Sequence, residues 1–395
     1  MTERLSALLH DEADHLDVPP PAPGTVLGRG RALRRRRRVT TVAVAVASLA
    51  VVGVGSTLAL GGDRDDDRAV EPAAPAAGFG EVFAIGTDIY LDGGRTHAVV
   101  DDVAVKSLYY TSAGVVVRHG NNSWSDGGGP QRFSLVAGDG TVTRLSVVTD
   151  GAVHATDPAQ PYLAYAVRDG GGPAEVVVHD VTTDEVAARV RVPGLSGGWF
   201  PVAITGDTVF VGDGREDVFA VDWRTGEVTT SPVLRGYPEV AGASTSAHRD
   251  DRPVVLDVAT GEVVLSPETT GWADLRLSPD GRYALLDQER DGGGGSSFQV
   301  YSVDTGESVE IEGETWQYGW TADGDLFSLL GRELTTCQAD TGECATEEVD
   351  LVRSPAPGID EGSNIVCDAN GTCQDPEAEK GDSVDLKLGG RTYES

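Results

Sequence analysis

The stretch VFAVDWRTGEV, residues 218–228, decides the fold because it recurs along the chain. Close copies are VVLDVATGEV at 254–263 and VYSVDTGE at 300–307. Apolar and polar residues alternate on both sides of the Thr-Gly corner, as in strands with one buried face. Asp at the corner supplies side-chain turn bonds, and Gly accepts a positive φ. Each copy is therefore predicted to be a β-hairpin.

The hairpin signal extends over most of the chain, with weaker copies at 176–186 and 333–344. The corner glycine or its equivalent recurs at intervals of 35 to 48 residues: Gly94, Gly140, Asp184, Gly226, Gly261, Gly306, Gly342 and Gly390. A second turn signal lies between these corners, at Asp157-Pro158, Gly206-Asp207, Asp280-Gly281 and Asp323-Gly324. Two hairpins in each period of about 42 residues make four strands, which is a propeller blade. We predict an all-β, seven-bladed β-propeller, with eight blades as the alternative.

Two similar segments bear on how such a ring closes. LDGGRT occupies residues 91–96, and KLGGRT occupies residues 387–392. They either lie in adjacent blades or share one blade at the closure of the ring.

The SPDGRY segment at 278–283 resembles WD40-like and TolB-like propellers, and the DxxTGE corner resembles quinoprotein propellers. Both resemblances span most of residues 79–350, and both motifs are structural. The quinoprotein repeat places a Trp four residues after the corner glycine, where this chain has Thr230 and Leu265, and it uses an adjacent Cys pair that is absent here. No cofactor is therefore expected.

An uncharged segment at residues 39–60 predicts one transmembrane helix. At about 1.5 Å per residue it would span about 33 Å, enough for a bilayer core. Seven arginines lie in residues 29–38, including the run Arg34, Arg35, Arg36, Arg37 and Arg38. This bias predicts a cytoplasmic N-terminus and an outer C-terminal part in the plasma membrane. The alternative is a cleaved secretory signal, which usually has a shorter apolar core.

The span divides the chain into a basic tail at 1–38, the helix at 39–60, a flexible linker at 61–78 and the propeller at 79–395. The whole chain has 31 Lys+Arg against 63 Asp+Glu, a net charge of −32. The tail at 1–38 has 8 Lys+Arg against 5 Asp+Glu, and the remainder has 23 against 58, so the part after the span is strongly acidic. A protein that grips nucleic acid through a broad basic face is excluded.

The cytoplasmic tail contains a short amphipathic helix candidate with Leu5, Leu8 and Leu9 on its apolar face. The layout of tail and span resembles actinobacterial membrane proteins that sit beside extracytoplasmic-function sigma factors. The resemblance implies a sigma factor as a tail partner. His10 and His15 lack Cys partners in the tail, which excludes the zinc-type subfamily.

Four cysteines lie near the C-terminus, and they allow three disulfide pairings. Cys337 and Cys344 flank one turn, and Cys367 and Cys373 flank another. The two local pairings fit hairpins in an oxidising outer compartment. A metal site is not expected, because the spacings are wide and no His is near.

The remaining motifs predict structure rather than catalysis. GLSGG at 194–198 matches the nucleophile-elbow pattern, but a strand rather than a helix is predicted to follow, so it is interpreted as a loop between blades. The five histidines after the linker, which are spread over different repeats, are His97, His119, His154, His179 and His248. Four tryptophans are predicted near the starts of inner strands, mostly filling the wedges between blades and in a minority lining the loop face: Trp199, Trp272, Trp316 and Trp320.

The predicted function is a membrane-anchored, extracytoplasmic binding, scaffold or sensor module. It would bind a protein, a peptide or a cell-wall glycan on its loop face. Two alternatives stay open: a transmembrane regulator that acts through a sigma factor, and a hydrolase or lyase that uses the central funnel. A cluster of His and carboxylates at one funnel mouth would favour the enzyme, and an aromatic and polar face would favour binding.

Overall fold

Seven antiparallel sheets form a ring in the computed structural model of the chain. The structure describes residues 78–121, 129–168, 170, 172–288, 297–352, 366–367, 373–374 and 386–391. The predicted tail and membrane span lie outside these residues. Within the part that is described, no helix is both long and apolar enough to cross a membrane.

The strands are numbered in chain order, and each blade runs from the channel outward. Blade 1 contributes β1 (Phe83–Ile85), β2 (Asp88–Leu91) and β3 (Thr96–Val99), with a 3₁₀ turn at Asp92–Gly94. Blade 2 contains β4 (Ala104–Thr111), β5 (Gly114–Gly120), β6 (Gln131–Val136) and β7 (Val142–Thr149). Blade 3 contains β8 (His154–Thr156), β9 (Tyr162–Arg168), β10 (Ala174–Asp180) and β11 (Glu185–Arg191). Blade 4 contains β12 (Val202–Thr205), β13 (Thr208–Gly212), β14 (Val218–Asp222) and β15 (Glu227–Thr230).

The last three blades follow the same order. Blade 5 contains β16 (Ser244–Arg249), β17 (Arg252–Asp257) and β18 (Val263–Leu265). Blade 6 contains β19 (Ala273–Leu277), β20 (Tyr283–Gln288), β21 (Ser297–Ser302) and β22 (Ser308–Glu312). Blade 7 contains β23 (Tyr318–Trp320), β24 (Leu326–Leu330), β25 (Glu333–Cys337) and β26 (Cys344–Glu348), after a 3₁₀ turn at Thr315–Gln317. A separate hairpin pairs β27 (Val366–Cys367) with β28 (Cys373–Gln374).

The C-terminal strand β29 (Leu386–Leu388) closes the ring by pairing with β1 as the innermost strand of blade 1. The two similar segments at 91–96 and 387–392 therefore contribute to one blade. Seven of the eight predicted corners lie in the outer hairpin of one blade each, which confirms seven blades. The prediction of an eighth hairpin corner at Gly390 was wrong, because this residue follows the closing strand. Its φ of +64° and its close approach to Trp320 explain the glycine there.

Blade 5 has three strands rather than the predicted four. Its innermost segment is reduced to a single bridge between Ala241 and Ser244. Pro238 lies in this segment, and proline has no N–H to give to a strand ladder. The channel wall is therefore irregular at this blade.

The corners form as the sequence predicts. Asp222 Oδ1 accepts hydrogen bonds from the backbone N–H groups of Arg224 and Thr225, both at 2.9 Å. Gly226 then takes a φ of +79°. These local bonds bend the chain at the outer edge of the blade.

Apolar side chains fill the wedges between neighbouring blades. At the closure of the ring, Trp320 is 1% exposed, and its backbone O accepts a hydrogen bond from Tyr110 Oη at 2.9 Å. Gly389 lies against the same tyrosine, where a Cβ atom would come within 2.3 Å of Tyr110 Oη. Blades 1, 2 and 7 are thus joined at one tight point.

The described chain begins beside the turns at the outer hairpins of the blades. Phe79 is buried, and its backbone O accepts a hydrogen bond from the N–H of Asp92 in the corner of blade 1 at 2.7 Å. Gly78 lies close to Asp323, in the turn after the inner strand of blade 7. The chain therefore reaches the propeller on the face where the inner strands end.

One predicted disulfide is present. Cys337 and Cys344 are paired across the β25–β26 hairpin. Cys367 and Cys373 lie opposite each other in the backbone of the β27–β28 hairpin. Their side chains lie outside the described residues, so that second disulfide stays a prediction.

We expect the double change Cys337→Ala and Cys344→Ala to lower the free energy of unfolding by about 2 kcal/mol. The disulfide closes a short loop, so it restricts the unfolded chain only modestly. Urea unfolding of the oxidised protein and the double variant would measure the difference. A reductant should shift the wild type more than the variant, which keeps only the predicted Cys367–Cys373 disulfide, and an equal shift in both would contradict the assignment.

Candidate functional site

The innermost strands of the blades run in one direction around the channel, so the residues just before them share one end of it. We call this end the mouth. Four successive connections place an aromatic residue there: Trp199, Tyr237, Trp272 and Trp316. Tyr237, Trp272 and Trp316 are 52%, 42% and 43% exposed. The mouth is thus the aromatic-bearing end of the ring.

Trp199 and Tyr237 form the innermost aromatic pair of the mouth. Their ring centroids are 5.1 Å apart, and their planes are tilted by 59°. Both rings line a channel cavity of about 180 Å³, whose deeper wall is mostly apolar. The polar groups at this cavity include Glu239, His154, Tyr109 and the cationic Arg391. The pair therefore stands between solvent and an apolar channel.

The loop between β13 and β14 supports this pair. Gly214 has a φ of +75°, and a Cβ atom there would lie 3.2 Å from the ring of Trp199. Its neighbour Asp213 accepts hydrogen bonds from Ser196 Oγ at 3.2 Å and from the N–H of Arg215 at 3.0 Å. The loop backbone thus packs on the tryptophan and holds a carboxylate beside it.

The connection that contains Trp199 is held in place by hydrogen bonds from Arg168 of blade 3. The Arg168 guanidinium donates to the backbone O atoms of Leu195 and Gly197, both at 2.5 Å. Ser196 therefore lies in a loop between blades 3 and 4, as the sequence interpretation expected. A nucleophile elbow needs a helix after the serine, and here β12 follows instead.

Trp272 rests on His248 at the next connection. The two rings are stacked, with centroids 4.9 Å apart and planes 12° apart. His248 Nε2 also lies 2.9 Å from the backbone O of Ala273 and 3.4 Å from Asp274 Oδ1. One face of the indole is therefore supported by a ring that is itself held in place.

Trp316 lies in the 3₁₀ turn before β23. Its Nε1 donates a hydrogen bond to Glu314, whose backbone N–H is bonded by Gln317 Oε1 at 3.1 Å. Of the four predicted tryptophans, Trp320 fills a wedge and Trp199 is partly buried. The wedge prediction is wrong for Trp272 and Trp316, because they stand in connections outside the strands.

Carboxylates outnumber cations around the innermost pair. The acidic residues of its supporting loop and of the next connection are Asp213, Glu216, Asp217 and Glu239. The basic residues of the same segments are Arg215 and Arg235. Arg235 Nη1 is bonded to the backbone O atoms of Ser231 and Leu234. Arg391 also lines the cavity, so four carboxylates stand against three guanidinium groups, and the local excess of negative charge is small.

Each of the five histidines has a separate partner. His97 Nε2 lies 2.8 Å from Asp88, His154 Nε2 lies 2.9 Å from Thr149, and His179 Nε2 lies 2.9 Å from Asp184. His248 lies at the mouth. No group of three or more His, Cys, Asp or Glu in the described ranges could hold a metal ion.

His119 lies between Asp102 and Ser134 in the order of a hydrolase triad. Nδ1 is 2.6 Å from Asp102 Oδ2, and Nε2 is 3.0 Å from Ser134 Oγ. His119 and Ser134 are 0% and 3% exposed, so no substrate can reach the hydroxyl. Arg132 Nε and Nη2 also donate to Asp102, both at 2.6 Å. The arrangement ties the connection before blade 2 to the strands β5 and β6.

The ionisation states of this network follow from its bonds. Burial would raise the pKa of Asp102, but hydrogen bonds from His119 and Arg132 hold that pKa well below its usual range. Burial lowers the pKa of His119, and the bond to Asp102 opposes the shift only in part. At neutral pH the network therefore consists of neutral His119, a carboxylate and a guanidinium.

Only some of the residues at the mouth were identified from the sequence. Trp199, Trp272 and Trp316 were candidates, whereas Tyr237, Glu239 and the Asp213 loop were missed. Pro238 beside Tyr237 was the available signal, because it marks an interrupted inner strand. The tail residues Leu5, Leu8 and Leu9 and the arginines at 34–38 lie outside the described residues.

No protein-family model and no curated protein matches this chain. Among solved structures, TolB from Acinetobacter baumannii aligns with 14% identity and a TM-score of 0.36, covering 59% of this chain and 64% of that one. The Cps50 (Swd1) beta-propeller domain of Myceliophteria thermophila aligns with 11% identity and a TM-score of 0.38, covering 64% and 89%. A functionally unknown protein from Desulfotomaculum acetoxidans aligns with 12% identity and a TM-score of 0.37, covering 68% and 99%.

The chain spans less than two thirds of the length of the TolB structure. At these identities and scores, the three likenesses add nothing to the assignment of a site or a function. The assignment of seven blades rests on the paired sheets themselves.

Proposed function

We propose that the protein is a non-enzymatic binding module that takes its partner at the mouth of the channel. The observation that carries this proposal is the set of aromatic residues on four successive connections. Rigid, partly exposed aromatic rings provide large contact areas at a low cost in conformational entropy. The partner is a protein or peptide rather than a substrate that is turned over.

The arrangement of the titratable groups supports binding over catalysis. Ser134 and His119 are buried within blade 2, and Ser196 lies in a loop without the helix that an elbow needs. The aromatic and polar mouth matches the feature that distinguishes a binding propeller from a propeller hydrolase or lyase.

The proposal includes the membrane anchor at 39–60, with the propeller outside the cytoplasmic membrane. The uncharged span and the arginines before it support this topology. A sigma factor that docks on Leu5, Leu8 and Leu9 would make the same protein a transmembrane regulator. Binding at the mouth does not depend on that tail partner.

Site-specific photocrosslinking of the full chain in its host membrane tests the proposal. Benzoylphenylalanine at position 237, which keeps an aromatic ring where Tyr237 stands exposed at the mouth, should give one defined photoadduct. The matched control places the same group at position 225, an exposed corner at the opposite face. The adduct at 237 should disappear in a Gly214→Val background, since that side chain would displace Trp199.

An adduct that forms equally from both positions would contradict the proposal. Circular dichroism of each variant would confirm that the propeller remains folded. Adducts from position 225 alone would place the partner on the opposite face.

A further inference from the structure

We propose that the innermost aromatic pair of the mouth receives a Lys or Arg side chain from a cationic peptide. This inference rests on the proposed function and names the chemistry of its partner. The site is formed by Trp199 and Tyr237, with Asp213 and Glu239 beside them.

The geometry of the two rings suits a cation. Planes tilted by 59° with centroids 5.1 Å apart present two walls rather than one flat stack. Ammonium and guanidinium groups are attracted to the negative faces of Trp and Tyr within about 6 Å of the centroid. A cation beside Tyr237 would therefore also lie near the indole of Trp199.

The charges around the pair select for the same ligand. Asp213 is held beside Trp199 by its bonds to Ser196 and Arg215, and Glu239 lines the cavity behind the rings. The net charge of −32 attracts cations over a longer range. An acidic peptide would meet repulsion from the overall charge, while Arg391 at the cavity offsets part of the local negative charge.

The channel behind the pair argues for a side chain rather than a glycan. Its wall includes Pro201, Val202 and Ile204, and its volume is about 180 Å³. A cavity of about 150 Å³ holds one benzene, so there is space for a single side chain. The methylene stem of Lys or Arg can pack across the two rings and the nearest part of this wall, while its charged head stays within reach of a ring face and a carboxylate. A sugar would leave hydroxyl groups without partners there.

Peptide binding to the purified full chain in detergent tests the inference. The probe is a blocked nonapeptide in which Lys alternates with Gly, and its matched control replaces each Lys by norleucine, which keeps the stem and removes the charge. We expect the norleucine peptide to bind at least about 10-fold more weakly. Binding of the Lys peptide should also weaken as salt is raised.

Two variants locate the binding within the molecule. Tyr237→Ala leaves the net charge unchanged and should weaken binding of the Lys peptide by about 5-fold to 30-fold. Glu239→Gln should weaken it by a similar factor, whereas the exposed Glu343→Gln in the corner of blade 7 should not. Unchanged binding in Tyr237→Ala would show only general attraction to an acidic protein, and would overturn the inference.

The outcomes separate this inference from the proposed function. If the norleucine peptide or a neutral oligosaccharide binds with equal strength and depends on Tyr237, the choice of a cationic ligand is wrong and the mouth remains the binding site. If no probe depends on Tyr237 and position 237 gives no crosslink in cells, both proposals fall. An Arg peptide that binds like the Lys peptide supports the inference, since both side chains carry the required charge.

Discussion

A chain that ends at Asp385 should lose the cooperative unfolding of the whole propeller, whereas a chain that ends at Arg391 should keep it. The first truncation removes β29, which supplies the innermost strand of blade 1. It deletes Leu388, which is 1% exposed, and opens the edge of β1. We expect a loss of at least about 5 kcal/mol in the free energy of unfolding.

Several contacts fail together in this truncation. Gly389 O accepts a hydrogen bond from Trp320 N at 3.0 Å, and Gly389 N donates to Val82 O at 2.7 Å. Both partners are buried, so their polar groups would be left without bonds. Urea unfolding followed by tryptophan fluorescence would measure the change. Matching midpoints for the two truncations would show that the closing strand is dispensable.

Asp102→Asn should lower the free energy of unfolding by about 1.5–3 kcal/mol at neutral pH, because it weakens the charged hydrogen bonds that this partly buried carboxylate accepts from His119 and Arg132. The change leaves Arg132 and His119 without the carboxylate that holds them. The matched control is Asp139→Asn in the exposed corner of blade 2. There the carboxylate accepts a turn hydrogen bond from the N–H of Thr141. We expect the control to unfold at nearly the same urea concentration as the wild type.

The pH dependence of this network provides a second readout. The pKa of His119 is lowered by burial in the folded protein. As the pH falls, the unfolded chain therefore binds a proton on this histidine before the folded chain does, and stability decreases below about pH 6.5. The pKa of Asp102 is also lowered, so its contribution is present above about pH 4 and is lost below it. Urea unfolding at pH 3 to 8 should show both decreases in the wild type. Asp102→Asn should show a smaller decrease at the acid end, because Asp184, Asp222 and Asp257 also have lowered pKa values, and an unchanged profile would contradict the assignment.

The features that could be predicted from the sequence are those that contacts between near neighbours in the chain determine. The corners formed because Asp222 and Gly226 need only their near neighbours, and their spacing along the chain gave seven blades. The inner segment of blade 5 was missed because Pro238 interrupts a strand that the repeat count assumed. Gly390 was wrongly predicted to be a hairpin corner. The sequence does not distinguish a glycine that is required by close packing on a distant tryptophan from one that is required by a turn.

The mouth was harder to predict than the blades. Connections between blades have no period, so nothing in the sequence places Tyr237 against Trp199 or Gly214 beneath it. Three of its aromatic residues were noticed because they precede inner strands. Whether each faces a wedge or solvent depends on the path of the connection, which is set by contacts such as the clamp of Arg168 on the Trp199 loop.

The position at which the chain meets the propeller has a consequence for the direction of approach. Phe79 lies among the turns on the face opposite the mouth. With the proposed anchor, residues 61–77 attach that face to the bilayer, and these 17 residues span at most about 60 Å when fully extended. The aromatic rings would then lie at the end of the propeller opposite its attachment, and would point away from the lipid surface when the linker is extended. A bulky partner could dock from above without steric conflict with the headgroups, and the ring itself would act as a spacer between partner and membrane.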